Sequence, residues 1–261
     1  MKRIGLLSPG EMGSAIGARL VDAGHRVVWA SAGRGAATAA RAKQARLEDT
    51  GTVAALVAGS DVVLSVVPPQ FALQTAVAVA ASGFSGLYVD ANAIAPSTAT
   101  EVATTVTSSG ARFVDGGIVG PPPVRAGTTR LYLSGAGAGA VTELFEATPV
   151  EAILLPGEPT SASALKLAYA AWTKGSAALL LAAHELAVRS GVAEALEAEW
   201  ERSQGALTSR LFAARTSAAS KGWRWTPEML EIAAAMRARD LPPGFHQAAA
   251  SIFEEYPRPT D

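Results

Sequence analysis

Apolar residues in the first half of the chain come in short runs without alternation: RIGLL (3–7), HRVVWA (25–30), DVVLSVV (61–67), GLYVDA (86–91), ARFVDG (111–116) and TRLYLSG (129–135). Runs of this length, rich in Val, Leu and Ile, predict strands buried on both faces. Between them lie stretches of helical character, MGSAIGARLVDAG, AATAARAKQA, QFALQTAVAVAAS and PSTATEVATTVTSSG. Strand and helix alternating at this rhythm predict βαβ units and a mostly parallel sheet. Beyond residue 158 the texture changes. One helical pattern runs from Thr160 to Ser190, interrupted only by Gly175, and Gly191 supplies the stop signal. Further helical segments are expected at 193–218, 226–239 and 243–255, with no convincing strand. The chain therefore reads as α/β, a doubly wound and mostly parallel sheet over residues 1–158 followed by an all-helical domain over 159–261. The last residues, YPRPTD, are expected to fray.

Composition narrows the classes. At 261 residues and 49% apolar content the chain can bury a sizeable core. A formal net charge of −1 leaves no basic footprint for nucleic acid or an anionic membrane surface. The absence of cysteine removes disulfides, thiolate metal sites and a cysteine nucleophile. No histidine or carboxylate cluster suggests a metal. MKRIGLL is too short a run for a signal peptide and reads straight into a strand. The most apolar stretch, SAALLLAAHELAV, is interrupted by His184 and Glu185 well short of the ~20 residues a membrane span needs. A soluble, cytoplasmic protein is expected.

The first strand leads into SPGEMG, residues 8–13, and a helix opens at about Glu11. A glycine-rich turn between strand and helix is the context in which a GxGxxG-like pattern predicts a dinucleotide site in a Rossmann-type fold. Gly10 lets the backbone approach a pyrophosphate, and Gly13 lets the helix pack closely on the strand. The backbone N–H groups of Glu11 and Met12, at the positive end of the helix, would then face the phosphates. Ser8 stands where the first glycine of the pattern would be, and its hydroxyl can donate to phosphate. The second strand ends in Trp29-Ala30-Ser31-Ala32-Gly33-Arg34, without the carboxylate that would bind a free ribose 2′-OH. Ser31 takes that position, and Arg34 either supplies charge for a 2′-phosphate or is an ordinary solvated cation. The pattern favours NADP over NAD.

Four segments resemble the β-hydroxyacid dehydrogenase superfamily, which includes 6-phosphogluconate and 3-hydroxyisobutyrate dehydrogenases and the related imine reductases. They are IGLLSPGEMGSAIGARLVDAGHRVVWA (4–30), LSVVPPQFA (64–72) with YVDANAIAP (88–96), FVDGGIVGPPPVRAGTTRLYLSG (113–135), and ALKLAYAAWTKGS (164–176). The C-terminal GFHQAAASIFEEY (244–256) marks a branch with its own helical domain. The resemblance implies that Val67, Pro68 and Asn92 line the nicotinamide side of the cofactor. It implies further that Val119 and Gly120 belong to a substrate loop and that Lys166 matches the catalytic lysine. There are departures. Val119 replaces a serine that helps to hold substrate, Tyr169 and Ala170 replace paired asparagines, and Asn92-Ala93 replaces a Ser-Thr pair.

Hydride transfer to a carbonyl or imine needs a proton donor for the heteroatom. Lys166, among small and apolar neighbours, is the best candidate, and desolvation there is expected to bring its pKa toward a useful range. Tyr169 and Thr173 follow at i+3 and i+7 on the same helical face. Tyr169 would bind substrate, relay a proton or simply pack. His246 is a further candidate for substrate contact, and His184 is expected in the core or an interface. Family likeness implies a homodimer through the helical domain. The expected activity is an NADP-dependent oxidoreductase acting on a small carbonyl or hydroxy compound. The alternatives are an imine reductase of the same fold and a non-catalytic dinucleotide sensor.

Overall fold

The structure, a computed structural model, describes residues 1–257. The expectation for the tail falls mostly on residues 258–261, outside the described residues. Two compact units are present, Met1–Lys166 and a second beginning at Leu167.

The first unit carries one eight-stranded sheet. Its strands are β1 (Arg3–Leu7), β2 (Arg26–Trp29), β3 (Glu48–Asp49), β4 (Val62–Ser65), β5 (Leu87–Asp90), β6 (Arg112–Val119), β7 (Thr129–Ser134) and β8 (Val150–Leu154). The order is β3-β2-β1-β4-β5-β6-β7-β8, and every neighbouring pair is parallel except β6 and β7. The crossover helices are α1 (Glu11–Asp22), α2 (Ala36–Gln44), α3 (Val53–Val57), α4 (Ala72–Ala81) and α5 (Pro96–Thr107), with α6 (Ala138–Phe145) between β7 and β8. Strand residues alternate between two apolar clusters. Ile4, Leu6, Leu64, Leu87, Val89 and Val114 join one. Leu7, Val28, Val63 and Tyr88 join the other. Helices on both faces of a parallel sheet explain why the runs showed no polar alternation.

The doubly wound, mostly parallel sheet expected from the sequence is present. Beyond it, β6 runs on to Val119, and β3, β8, α3 and α6 are additional short elements. The first unit also reaches farther than residue 158. The helix α7 (Ser161–Arg189) begins inside it, because its opening turn is hydrogen-bonded to the sheet.

The second unit continues α7 and adds α8 (Ala193–Ser203), α9 (Leu207–Arg237) and α10 (Gly244–Glu254). This corrects the expected segments 193–218 and 226–239. The break falls at 204–206, and α9 runs unbroken through Pro227. Proline removes one rung of the helical ladder, but packing outweighs that loss. Met229, Ile232 and Ala233 are buried on α9, as are Ala249, Ala250 and Phe253 on α10. Gly222 lets the chain after α10 lie close, since a Cβ there would meet Tyr256 Cβ at 2.6 Å. Among the described residues no helix is long and apolar enough to cross a membrane.

Candidate functional site

The turn after β1 has a specific geometry. Ser8 sits at φ 64°, the left-handed region that glycine enters most readily, so it performs the tight-turn role with a side chain attached. The Gly10 N–H donates to the Ser8 carbonyl at 2.7 Å. Gly10 then caps α1 without any side-chain bond, and no atom lies within 4 Å of where its Cβ would stand. Gly13 is the opposite case, because a Cβ there would lie 2.8 Å from the Ser8 carbonyl oxygen. Glu11 is exposed and Met12 half-buried at the start of α1, where first-turn N–H groups lack intrahelical acceptors. The Arg41 Nε donates to the Pro9 carbonyl at 3.3 Å, and so ties α2 to the same turn.

At the edge of the sheet, Ser31 is half-buried and Arg34 exposed in the loop after β2. A carboxylate absent from β2 arrives from β3. The Asp49 Oδ1 accepts the N–H groups of Gly51 at 2.8 Å and Ser31 at 3.2 Å. Bonds from Ser31, then from the Gly51 N–H, hold this carboxyl below its ordinary range.

Toward the centre of the sheet, Leu7, Ser65, Asp90, Asp115 and Ser134 pair in register across five strands. The last four form a buried polar row. Asn92 stitches part of it together. Its Nδ2 donates to Asp90 Oδ2 at 2.9 Å and to Ser65 Oγ at 3.1 Å, while its Oδ1 accepts the Val67 N–H at 2.6 Å. Asn92 is thus buried with its amide engaged inside the protein, which corrects the expectation that it faces a ligand. It holds the ends of β4 and β5 in place, and with them Val67 and the half-buried Pro68. Burial, foremost, pushes the Asp90 carboxyl up to about 7, and the neighbouring Asp115 adds to the rise. Burial likewise raises Asp115, against bonds from Ser163 and Ser134.

Those bonds anchor the start of α7. The Asp115 Oδ1 accepts the Ser163 hydroxyl at 2.5 Å, and its Oδ2 accepts the Ser163 N–H at 2.8 Å. The Ser134 oxygen accepts the Ala162 N–H at 3.0 Å. Gly117 makes the approach possible, since a Cβ there would lie 2.7 Å from the Ala162 carbonyl and 3.0 Å from Lys166 Cβ. Lys166 is therefore half-buried directly over β6. Val119 is buried, 3% exposed, at the end of the same strand, so its side chain belongs to the packed sheet and not to an open substrate surface. Gly120 is exposed at φ 118°, where a Cβ would collide with the Thr128 carbonyl, and there the chain turns into the 120–128 loop.

In the second unit, Tyr169 is exposed and Thr173 half-buried along α7. The Thr173 hydroxyl donates to the Tyr169 carbonyl at 3.0 Å. With Trp172, Trp200, Arg210 and Trp225, Thr173 lines a groove of about 690 Å³ between α7, α8 and α9. His246 is 4% exposed, with Nε2 3.3 Å from the Ala171 carbonyl and Gly175 making room for its ring. It ties α10 to α7, which corrects the expectation of substrate contact. His184 is buried, as expected of a core residue. Arg215 can only donate, so His184 Nδ1 accepts at 2.8 Å and Nε2–H serves Glu197 at 2.7 Å. Among the described residues no group of His, Asp and Glu could hold a metal ion.

Comparison with known proteins decides the family. The profile of the NAD binding domain of 6-phosphogluconate dehydrogenase matches residues 3–147, more than half of the chain. The chain belongs to that family, and with it to the β-hydroxyacid dehydrogenase superfamily. A domain of unknown function (DUF1932) matches residues 187–256. Among solved structures, the chain resembles a conserved protein of unknown function whose structure is described as similar to 3-hydroxyacid dehydrogenases. Identity is 28%, coverage 97% of this chain and 96% of that one, and the TM-score 0.71. Two more distant structures show the same fold. One is a Mycobacterium tuberculosis 3-hydroxyisobutyrate dehydrogenase, at 19% identity, covering 98% and 94%, TM-score 0.74. The other is a reductive aminase from Aspergillus terreus, at 21% identity, covering 98% and 93%, TM-score 0.62. The search of curated proteins returned no match.

The cofactor of this dehydrogenase-type domain is a nicotinamide dinucleotide. The turn at 8–13 fits one, because open space over Gly10 and an uncapped helix start leave room for a pyrophosphate beside backbone N–H groups. Two substitutions separate ligand approach from folding. Gly10→Ala should leave the melting temperature unchanged, since its Cβ meets no protein atom, yet weaken nicotinamide dinucleotide binding by about an order of magnitude or more. Gly13→Ala should lower both, because its Cβ meets the Ser8 carbonyl. Titration of tryptophan fluorescence with NADPH, beside thermal melts, checks the pair. Unchanged affinity in Gly10→Ala would show that the pyrophosphate lies elsewhere.

Proposed function

We propose that this protein is an NADP-dependent oxidoreductase that passes a hydride between nicotinamide and a small carbonyl or hydroxy compound, with Lys166 as proton donor and acceptor. The observation that carries the reading is the close packing of Lys166 over Gly117 of β6, in a domain built for a nicotinamide dinucleotide. The cofactor supplies the hydride. This chain's residues shape its bed, exclude water and move a proton at Lys166 Nζ.

Within this reading Ser8 and the N–H groups of residues 11–13 receive the pyrophosphate, and Val67 and Pro68 form the floor beside the nicotinamide. Gly120 and the loop after it frame the substrate, while Tyr169 and Thr173 continue along α7 from Lys166. NADP preference rests on the exposed Arg34 next to Ser31, with no carboxylate on β2. Asp49 supports a second reading, NAD, because its carboxylate lies beside Ser31 and can accept a ribose 2′-OH. Kd values for NADPH and NADH in wild type, Arg34→Ala and Asp49→Ala separate them. The NADP reading expects tighter NADPH binding and loss of about tenfold of that preference in Arg34→Ala, as suits one charge-assisted phosphate contact. Equal wild-type affinities, with NADH weakened in Asp49→Ala, would establish NAD.

Imine reduction by the same fold is the nearest alternative chemistry, supported by the packed Val119 where family members keep a serine. A retained lysine suits alcohol–carbonyl chemistry better, since an alkoxide needs its proton returned.

A further inference from the structure

The buried polar row is larger than the fold requires. A parallel sheet covered on both faces is stable with apolar residues at such positions. Here Ser65, Asp90, Asp115 and Ser134 occupy one register line, and two carboxylates sit on neighbouring strands with almost no exposure. Side-by-side carboxylates without solvent are costly, so a chain that keeps them gains something in return. What Asp115 gains is a grip on a single helical turn. It accepts both donors of Ser163, and Ser134 accepts the donor of Ala162. Free N–H groups at a helix start need acceptors, and here the acceptors come from strands 28 and 48 residues away in sequence. Lys166 follows Ser163 by three residues, less than one turn, and its Cβ lies 3.0 Å from where a Cβ at Gly117 would stand. The clamp therefore fixes translation and rotation of the helix at the point where Lys166 leaves it.

We propose that Asp115 is the positioning residue for Lys166, acting through Ser163, with Ser134 as its second anchor. The carboxylate sets the height of the first turn above β6, and Gly117 sets how closely it may approach. Asp115 itself is fully buried, and its carboxylate accepts from Ser134 and Ser163 inside the protein. It acts on the reaction only by holding the lysine in place. This rests on the reading of Lys166 as the proton donor, and the experiment keeps the two apart.

The test uses the full chain and three variants. Ser163→Ala removes the hydroxyl bond to Asp115, Ser163→Thr keeps it, and Lys166→Arg assigns the lysine signal. Asp115→Asn, which keeps one acceptor oxygen but removes the charge, is added as a fourth variant where it folds. Lysines are dimethylated with 13C-formaldehyde and the Lys166 resonance is titrated by NMR, which requires no substrate. NADPH Kd and melting temperature are measured alongside. Where a member of a panel of small carbonyls and imines is turned over with NADPH, kcat and KM are measured too. The expected result is a displaced Lys166 titration in Ser163→Ala, restored by Ser163→Thr. With it comes a fall in kcat of about tenfold at NADPH affinity and KM within about twofold, as suits a misplaced catalytic group on an intact binding site. A Ser163→Ala protein with lowered melting temperature but an unmoved Lys166 titration and kcat would overturn the proposal, leaving the clamp a helix cap only. Turnover that survives Lys166→Arg would sink the proton-donor reading instead, whatever Ser163→Ala does.

Discussion

Lys166→Ala should lower turnover by about 10²- to 10⁴-fold, the range expected when a positioned general acid–base is lost. NADPH affinity should stay near that of the wild type, because the glycine turn lies on β1 and α1 while Lys166 lies on α7 over β6. Fold stability should change little. Alanine is a better helix former than lysine, and the anchor of the α7 start lies in Ala162 and Ser163, which the substitution leaves in place. Lys166→Arg sharpens the result. It keeps the positive charge and most of the length, but a guanidinium does not release its proton in the working pH range. If the lysine moves a proton, Arg is nearly as inactive as Ala. If it only supplies charge to an anionic substrate, Arg retains much of the activity. Steady-state oxidation of NADPH against a panel of carbonyls and imines reads both variants, and wild-type rates in either would remove Lys166 from its role.

The second large effect is on stability. Asp90 has its carboxyl raised from 3.8 to about 7 by burial, with Asp115 adding to the rise. A group with a higher folded than unfolded pKa binds its proton more tightly in the folded state. Its stabilising contribution is therefore complete below about pH 4 and is lost as pH rises through about 7. The loss is on the order of 4 kcal/mol from a difference of about three pKa units. Asp115 is raised in the same direction and acts with the same sign. Stability measured by urea unfolding should accordingly fall between about pH 4 and pH 7 and level off above. Asp90→Asn, which cannot ionise, should remove most of that slope whatever its absolute stability, because the amide still accepts the Asn92 N–H but opposes its Nδ2. Comparing the two slopes subtracts contributions from other titrating groups. Parallel wild-type and Asp90→Asn profiles would mean that Asp90 does not carry the pH dependence.

How much of this was legible in the sequence depends on range. The β1–turn–α1 unit was legible because strand run, glycines and helix start are contiguous, and even Ser8 was placed correctly at the tight turn. The short β8 was not, since VEAIL carries a glutamate and is too brief to show a period. Nor was the continuity of α9, because a proline reads as a breaker unless its partner α10 is known. At the site, Lys166 stood out by type and surroundings. Asp115, Ser134 and Ser163 did not, because their meaning lies in bonds that span tens of residues. Asp49 escaped for the same reason, as it reaches Ser31 from the next strand. Position along the chain, side-chain type and, for Asn92, the family resemblance suggest ligand roles for Asn92 and His246. Burial and internal partners, which only the fold supplies, give both another task.

Hydride transfer from bound nicotinamide to a small carbonyl or imine carbon at this site can be followed by isotope. Incubation with NADPH deuterated at C4, followed by mass spectrometry of a carbonyl and imine panel, tests it directly. A reduced product carrying one deuterium is expected from wild type and essentially none from Lys166→Ala. Tight NADPH binding with no deuterium transferred to any panel member would contradict it, and would mark the protein as a dinucleotide sensor on a dehydrogenase fold.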